Sequence, residues 1–285
     1  MDCFGALLLA MTAVAPVSPA HALDCAKAPA RVDKVICASP SLRKADAAMS
    51  AAYFKLLRAT TDREFHDALI RSQRRWLEVR SQGARGSQED DDVEIAEREA
   101  LLKVTRDRMK SLQTGELVRR MERQRGVASK DSGGAFAGYK TACYLLPPPH
   151  GWVYGCFGEG RRQNSDRICS VELTWATGHG TEYRTVSIVK DGAPKPVATC
   201  SIGYAETTER CPDADDDAEL KANARWNTNP VPSNERPTPH ASDLWKYDPD
   251  TSVELADQEW MRDCLSAATY PPADVNRADP APKKP

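Results

Sequence analysis

The sequence predicts an α+β protein: an N-terminal small antiparallel helical bundle, then a C-terminal disulfide-stapled antiparallel β-rich domain with a closing helix. Three observations predict it. Between positions 40 and 126 apolar residues recur three or four apart, the period of a helix face. Beyond position 138 the period falls to two. Six of the nine cysteines lie in that second part.

Residues 1–22 read as a secretory signal peptide. A small and apolar run from Phe4 to Val17 is followed by Pro19 and Ala20-His21-Ala22, whose alanines suit a signal-peptidase pocket. The run is shorter than the ~20 apolar residues a bilayer span needs. Its n-region departs from the usual pattern, with Asp2 and no Lys or Arg, as a misplaced start codon or a coincidental apolar stretch in a cytoplasmic protein would produce. Cys3 leaves with the leader. Cys25, Cys37, Cys143, Cys156, Cys169, Cys200, Cys211 and Cys264 remain, an even number that reads as four disulfides in an oxidising compartment. None sits in Cys-x-x-Cys spacing, so no zinc knuckle or thioredoxin-like site is signalled. Asp24 before Cys25 argues against lipid attachment. No later segment is apolar enough to span a membrane, so a soluble periplasmic or secreted protein is expected. With 39 Lys plus Arg against 41 Asp plus Glu, no nucleic-acid footprint appears. Charge is clustered, however, at Glu89–Asp92, Asp213–Asp217 and the Arg119, Arg120, Arg123, Arg125 stripe.

The helical domain is expected over residues 23–125. Leu42, Ala45, Met49, Tyr53 and Leu56 form one stripe. Thr61 or Asp62 can cap a second helix carrying Phe65, Leu69, Trp76 and Val79. Gln82-Gly83-Ala84-Arg85-Gly86 breaks the pattern. A third helix from about Asp91 turns Val93, Ala96, Ala100, Val104 and Leu112 inward, and continues or restarts after Gly115 as far as Arg125. Short connections imply antiparallel neighbours. Residues 126–138, rich in Gly, Ser and Ala, read as a linker. The β domain is expected over 139–270, with strands at 152–157, 168–175, 183–189 and 197–204. Cys143–Cys156 and Cys200–Cys211 are the favoured bridges there, because each pair brackets a turn. Thr251 and Glu254 form a capping-box pair before a closing helix from Ser252 to about Ala268, with Val253, Ala256, Trp260 and Cys264 on one face. The tail, 271–285, has a disordered composition.

Three blocks of the helical half resemble the lysozyme inhibitor LprI family. They are Asp24-Cys-Ala-Lys-Ala28 with Val35-Ile-Cys-Ala38; Leu42, Ala45, Asp46, Met49 and Ala51-Ala52-Tyr53; and Ser72-Gln-Arg-Arg-Trp-Leu-Glu-Val-Arg80. The resemblance covers roughly residues 23–112. It implies an exported envelope protein and a Cys25–Cys37 disulfide, whose loop of about 12 residues stabilises by ~2–3 kcal/mol. A second cysteine pair usual in the family is missing, with Gln82 or Gly83 and Glu99 or Ala100 in those places. The resemblance does not extend to the domain after the linker.

Trp76 and Arg80 suit a binding hot spot, but their shared stripe with Phe65 and Leu69 favours an indole in the core under an Arg stem. The Gly83-Ala-Arg85-Gly86 tip offers a cation between glycines that could enter a cleft and meet the paired carboxylates of a lysozyme. Glu89, Asp90, Asp91 and Asp92 follow, and could steer a basic partner towards it. The plainer reading is a solvated loop with acidic residues at a helix start. Asp248, Asp250, Ser252 and Glu259 fit a calcium-loop count, but Val253 stands where glycine is needed and Pro249 intrudes. Asp213, Asp215 and Asp217 fail similarly, with Ala224 at the place of the bidentate Glu. Nucleophile-elbow, phosphate-loop and His-Glu-x-x-His patterns do not occur. His66, His150, His179 and His240 are scattered. The expectation is therefore a binding protein of the lysozyme-inhibitor-like class, without catalytic residues, metal or cofactor, whose partner is lysozyme or another cell-wall-active protein. The alternatives are a structural or stress-related periplasmic module, and a hydrolase with its site in the β domain.

Overall fold

The computed structural model describes residues 23–28, 30–83, 91–146, 153–176, 179–203, 210–212, 224–230, 241–251 and 256–272. The expected leader and most of the expected tail lie outside them. The architecture is α+β: helices first, then one antiparallel sheet, four disulfides and a closing helix.

The helices are α1 (Arg31–Ala38), α2 (Pro40–Ala59), α3 (Arg63–Gly83), α4 (Asp91–Gln113) and α5 (Glu116–Ala128). The short α1 was not anticipated. It follows a 3-10 turn at Cys25–Lys27 and is tied to that turn by the Cys25–Cys37 bridge. Pro40 opens α2, where a missing N–H costs nothing, and the Ser39 hydroxyl accepts from the Leu42 N–H. Asp62 rather than Thr61 caps α3, accepting from the Phe65 N–H at 3.1 Å. Gly115, at φ +69°, makes the turn into α5. That helix runs through Gly126, so the segment expected as a linker begins inside it. Met49, Phe65, Leu69, Trp76, Leu112 and Met121 fill the bundle core, with Tyr247 of the second half edge-on to Phe65 at 5.1 Å. A second apolar cluster joins Val32, Ile36, Leu42 and Leu101.

The sheet has five strands in sequential order, one more than expected: β1 (Gly138–Leu146), β2 (Val153–Asn164), β3 (Arg167–Ala176), β4 (His179–Lys190) and β5 (Ala193–Gly203). The addition is β1, paired with β2 from Gly138↔Arg161 to Leu146↔Val153. Its mix of Lys, Thr and Ala among apolar residues hid its period. Tyr139, Cys169, Val171, Val186, Ala198 and Cys200 build the core with α6 (Glu259–Ser266). Trp226, Trp260 and Tyr270 stack there with centroids 5.6–6.5 Å apart. The closing helix thus starts later than Thr251 and Glu254 suggest. Gln258 is its N-cap, Thr251 instead bonds its hydroxyl to that of Thr141, and 252–255 lie outside the described residues. Arg167 donates to the carbonyls of Cys264, Ala267 and Ala268, closing the α6 C-terminus with a cation as the helix dipole favours.

Candidate functional site

Helix α3 is the axis along which both halves of the chain meet. On its first two-thirds lies the segment Trp245–Thr251. Arg75 fills the centre of this junction. Its Nη2 reaches Asp248 Oδ2 at 2.7 Å, and its Nη1 reaches Asp248 Oδ1 and Asp250 Oδ2, both at 3.0 Å. Asp250 Oδ1 also accepts from Ser72 at 2.9 Å and Arg108 at 3.1 Å. Arg108 donates further to the Ser72 hydroxyl and to the side-chain Oε1 of Gln73. Gln124 of α5 grips the backbone of Asp248 in both directions, at 2.8 and 3.0 Å. Burial would lower the pKa of Arg75, but the hydrogen bond and charge of Asp248, and then the charge of Asp250, raise it overall. Burial also raises the Tyr154 phenol, and neighbouring Asp250 raises it further.

This geometry explains the two aspartates that fit a calcium count. Guanidinium, hydroxyl and amide donors occupy their oxygens, so they bind side chains of the bundle where a calcium loop would bind an ion. Among the described residues the one group of potential metal ligands is Cys143, Cys156 and Asp250, and both sulfurs are joined in a disulfide. Chemically, the junction is a structural weld.

One residue further along α3 than Arg75, the indole of Trp76 is 1% exposed. The Arg80 guanidinium carbon lies 4.9 Å from its ring centre, and its Nη1 donates to buried Asp46 at 2.6 Å. The pair is therefore core, as its stripe indicates. Beside it opens a cleft of ≈ 480 Å³, lined by Leu23, Cys25, Ile36 and Pro40 with Arg43, Lys44 and Asp46. The expected binding residues lie in the connection between α3 and α4 and in the first turn of α4. Arg85 and Asp90 lie outside the described residues. Asp91 and Asp92 open α4, and only their backbone is described. The structure therefore brings none of these four side chains into a described contact.

Other candidates resolve into ordinary surface and junction roles. Arg119 and Arg123 bond Glu116, Arg120 bonds the Pro249 carbonyl, and Arg125 bonds Asp62 and Tyr247. His66 stands near Asp67 at 3.9 Å on the surface of α3. His150 and His240 lie outside the described residues, as do Asp213, Asp215 and Asp217. Sequence reasoning missed the Arg75–Asp248–Asp250–Arg108 cluster. Its partners are more than 140 positions apart, and no local spacing encodes such a pairing.

The sequence model of the family described as Lysozyme inhibitor LprI matches residues 25–112. The matched stretch contains α1 to α4 and ends one residue short of the end of α4. No curated protein and no solved structure matches the chain. Among the described residues no helix is long and apolar enough to cross a membrane.

Proposed function

We propose that this chain is an exported, periplasmic or secreted binding protein of the lysozyme-inhibitor-like class, which occludes its protein target without turnover. The match of residues 25–112 to the lysozyme inhibitor family carries this reading. Four disulfides and the leader-like first 22 residues support export.

The contact surface in this reading is the α3–α4 connection. Arg85 meets acidic groups in the target cleft through paired guanidinium–carboxylate bonds. Asp90, Asp91 and Asp92 attract the basic surface around that cleft. The weld along the earlier part of α3 supports such a role, because the segment Trp245–Thr251 holds the helix from which this connection leaves.

Replacing Arg85 with Ala is expected to weaken lysozyme inhibition by about tenfold or more, the scale of a truncated arginine hot spot. An unchanged inhibition constant would remove the tip from the interface. The alternatives of a structural envelope module and a β-domain hydrolase make no use of this tip, and neither predicts any response of lysozyme to the protein.

A further inference from the structure

We propose that Cys169 reaches its native partner through a thiol–disulfide isomerase, which makes such an enzyme a maturation partner of this chain. The inference rests on the reading of the chain as exported through an oxidising compartment.

Three of the four bridges are local, with separations of 12, 13 and 11 residues. Cys169–Cys264 spans 95. Cys169 has four wrong partners nearer than its right one, Cys156 at 13 residues, Cys143 at 26, Cys200 at 31 and Cys211 at 42. Loop-closure probability falls with roughly the three-halves power of length. An unfolded chain therefore closes Cys156–Cys169 about twentyfold, and Cys169–Cys200 about fivefold, more readily than Cys169–Cys264. Cys156 in turn has equal separation, 13 residues, to Cys143 and to Cys169.

The sheet forbids the bonds to Cys156, Cys143 and Cys200. Cys169 stands opposite Arg162 on β2, while Cys156 stands opposite Cys143, six residues along the same strand. Six residues of strand are roughly 20 Å. Cys200 is on β5, separated from β3 by the whole of β4, which is roughly 10 Å. A disulfide tolerates about 7 Å between Cα atoms. A chain oxidised at Cys156–Cys169 therefore cannot complete the β1–β2–β3 ladder. Without that ladder α6 has no surface on which to bring Cys264 to Cys169. In the finished fold both residues are fully buried, with Cα atoms 6.3 Å apart. The native bond is thus hard to reach and, once made, sheltered from exchange.

The rescue is electron-neutral. In a chain carrying Cys156–Cys169 and Cys143–Cys264, an isomerase thiolate attacks Cys156 Sγ and expels the Cys169 thiolate. Cys169 attacks Cys264 Sγ and releases Cys143. Cys143 then attacks Cys156 Sγ and expels the isomerase thiolate unchanged. Two wrong bonds become two native ones, with no oxidant consumed.

The test is oxidative refolding of the reduced, unfolded secreted protein with diamide as the two-electron acceptor, alone or with a catalytic amount of a purified dithiol isomerase. Bonds are read by non-reducing peptide mapping, which needs neither lysozyme nor a folded product. Diamide alone is expected to leave Cys169 mainly on nearer cysteines, Cys156 above all. The isomerase is expected to raise Cys169–Cys264 at least about threefold. In the Cys169→Ala, Cys264→Ala double variant the three local bonds are expected to form equally well without it. Near-complete native pairing in diamide alone would overturn the proposal. Isomerase dependence that persists in the double variant would also overturn it.

Discussion

Arg75 and Asp248, 173 positions apart in the chain, face each other fork to fork across the junction of bundle and sheet, with contacts of 2.7 and 3.0 Å. Side-chain exposure is 18% for the guanidinium and 2% for the carboxylate, so water screens this pair poorly. Removing the cation leaves two buried carboxylates with Arg108 as their remaining guanidinium partner. Arg75→Ala is expected to lower unfolding free energy by about 3–5 kcal/mol. It should also separate two events that coincide in the parent. Helical circular dichroism and the fluorescence of the sheet-side Trp226 and Trp260 should then report different urea midpoints. Coincident midpoints in the variant would show that apolar contacts alone couple the halves.

Arg80 and Asp46 form a second buried pair, at 2.6 Å, over the face of Trp76. Either Arg80→Ala or Asp46→Ala is expected to cost about 3–5 kcal/mol, since each leaves a lone buried charge. Arg80→Met combined with Asp46→Leu keeps the volume and removes both charges. The double variant should be more stable than either single one in a urea titration. Additive losses would mean that the pair contributes through packing only.

Alkaline pH should open the junction before the rest of the fold. Burial first, and the charge of Asp250 second, raise the Tyr154 phenol, and burial raises Tyr139 as well. A raised folded value means that both groups contribute stability that is intact below the unfolded value of 10.0 and is lost as pH climbs above it. Tyr154→Phe removes one titrating group and a long 3.4 Å contact to Asp250. Its thermal midpoint should therefore fall less than the parent's between pH 9 and pH 11, on the scale of an ordinary phenol near 10. An identical pH profile would assign alkaline unfolding to other groups.

At the acid end Asp62 gives the opposite sign. The Phe65 N–H, then Arg125, lower its pKa below 3.8. The stability it contributes is present above 3.8 and is lost as pH falls through the lower, folded value. Asp62→Ala should lower the thermal midpoint at neutral pH, and the gap to the parent should shrink as pH drops below that range. A gap independent of pH would show that the cap acts without its charge.

Much of this fold is legible in the sequence, and the reason is local. Leu42, Ala45, Met49, Phe65, Leu69, Trp76 and Val79 declare a helix face through spacing, and all seven are buried. Cys143–Cys156 and Cys200–Cys211, each close in sequence, are bonded. The missed parts depend on what lies far away in sequence. Strand β1 is held by the ladder to β2 and by Tyr139 pairing with Trp245, so its own composition need not be strand-like. Thr251 has the capping-box signature, but its hydroxyl is engaged by Thr141 across the junction. Asp248 and Asp250 look like cation ligands because Asp-x-Asp is a local pattern, whereas their guanidinium partners sit in the first half of the chain. For the candidate site, sequence supplied Arg85, Asp90, Asp91 and Asp92 by charge and glycine content. The structure supplies the helix ends that their connection joins.

The most direct measurement is residual lysozyme activity on a cell-wall suspension against increasing amounts of the oxidised, secreted protein, with a fully reduced sample alongside. The account predicts saturable inhibition by the oxidised protein, lost on reduction because the disulfides hold the fold that presents the helical domain. Undiminished lysozyme activity at micromolar excess of the oxidised protein would contradict it.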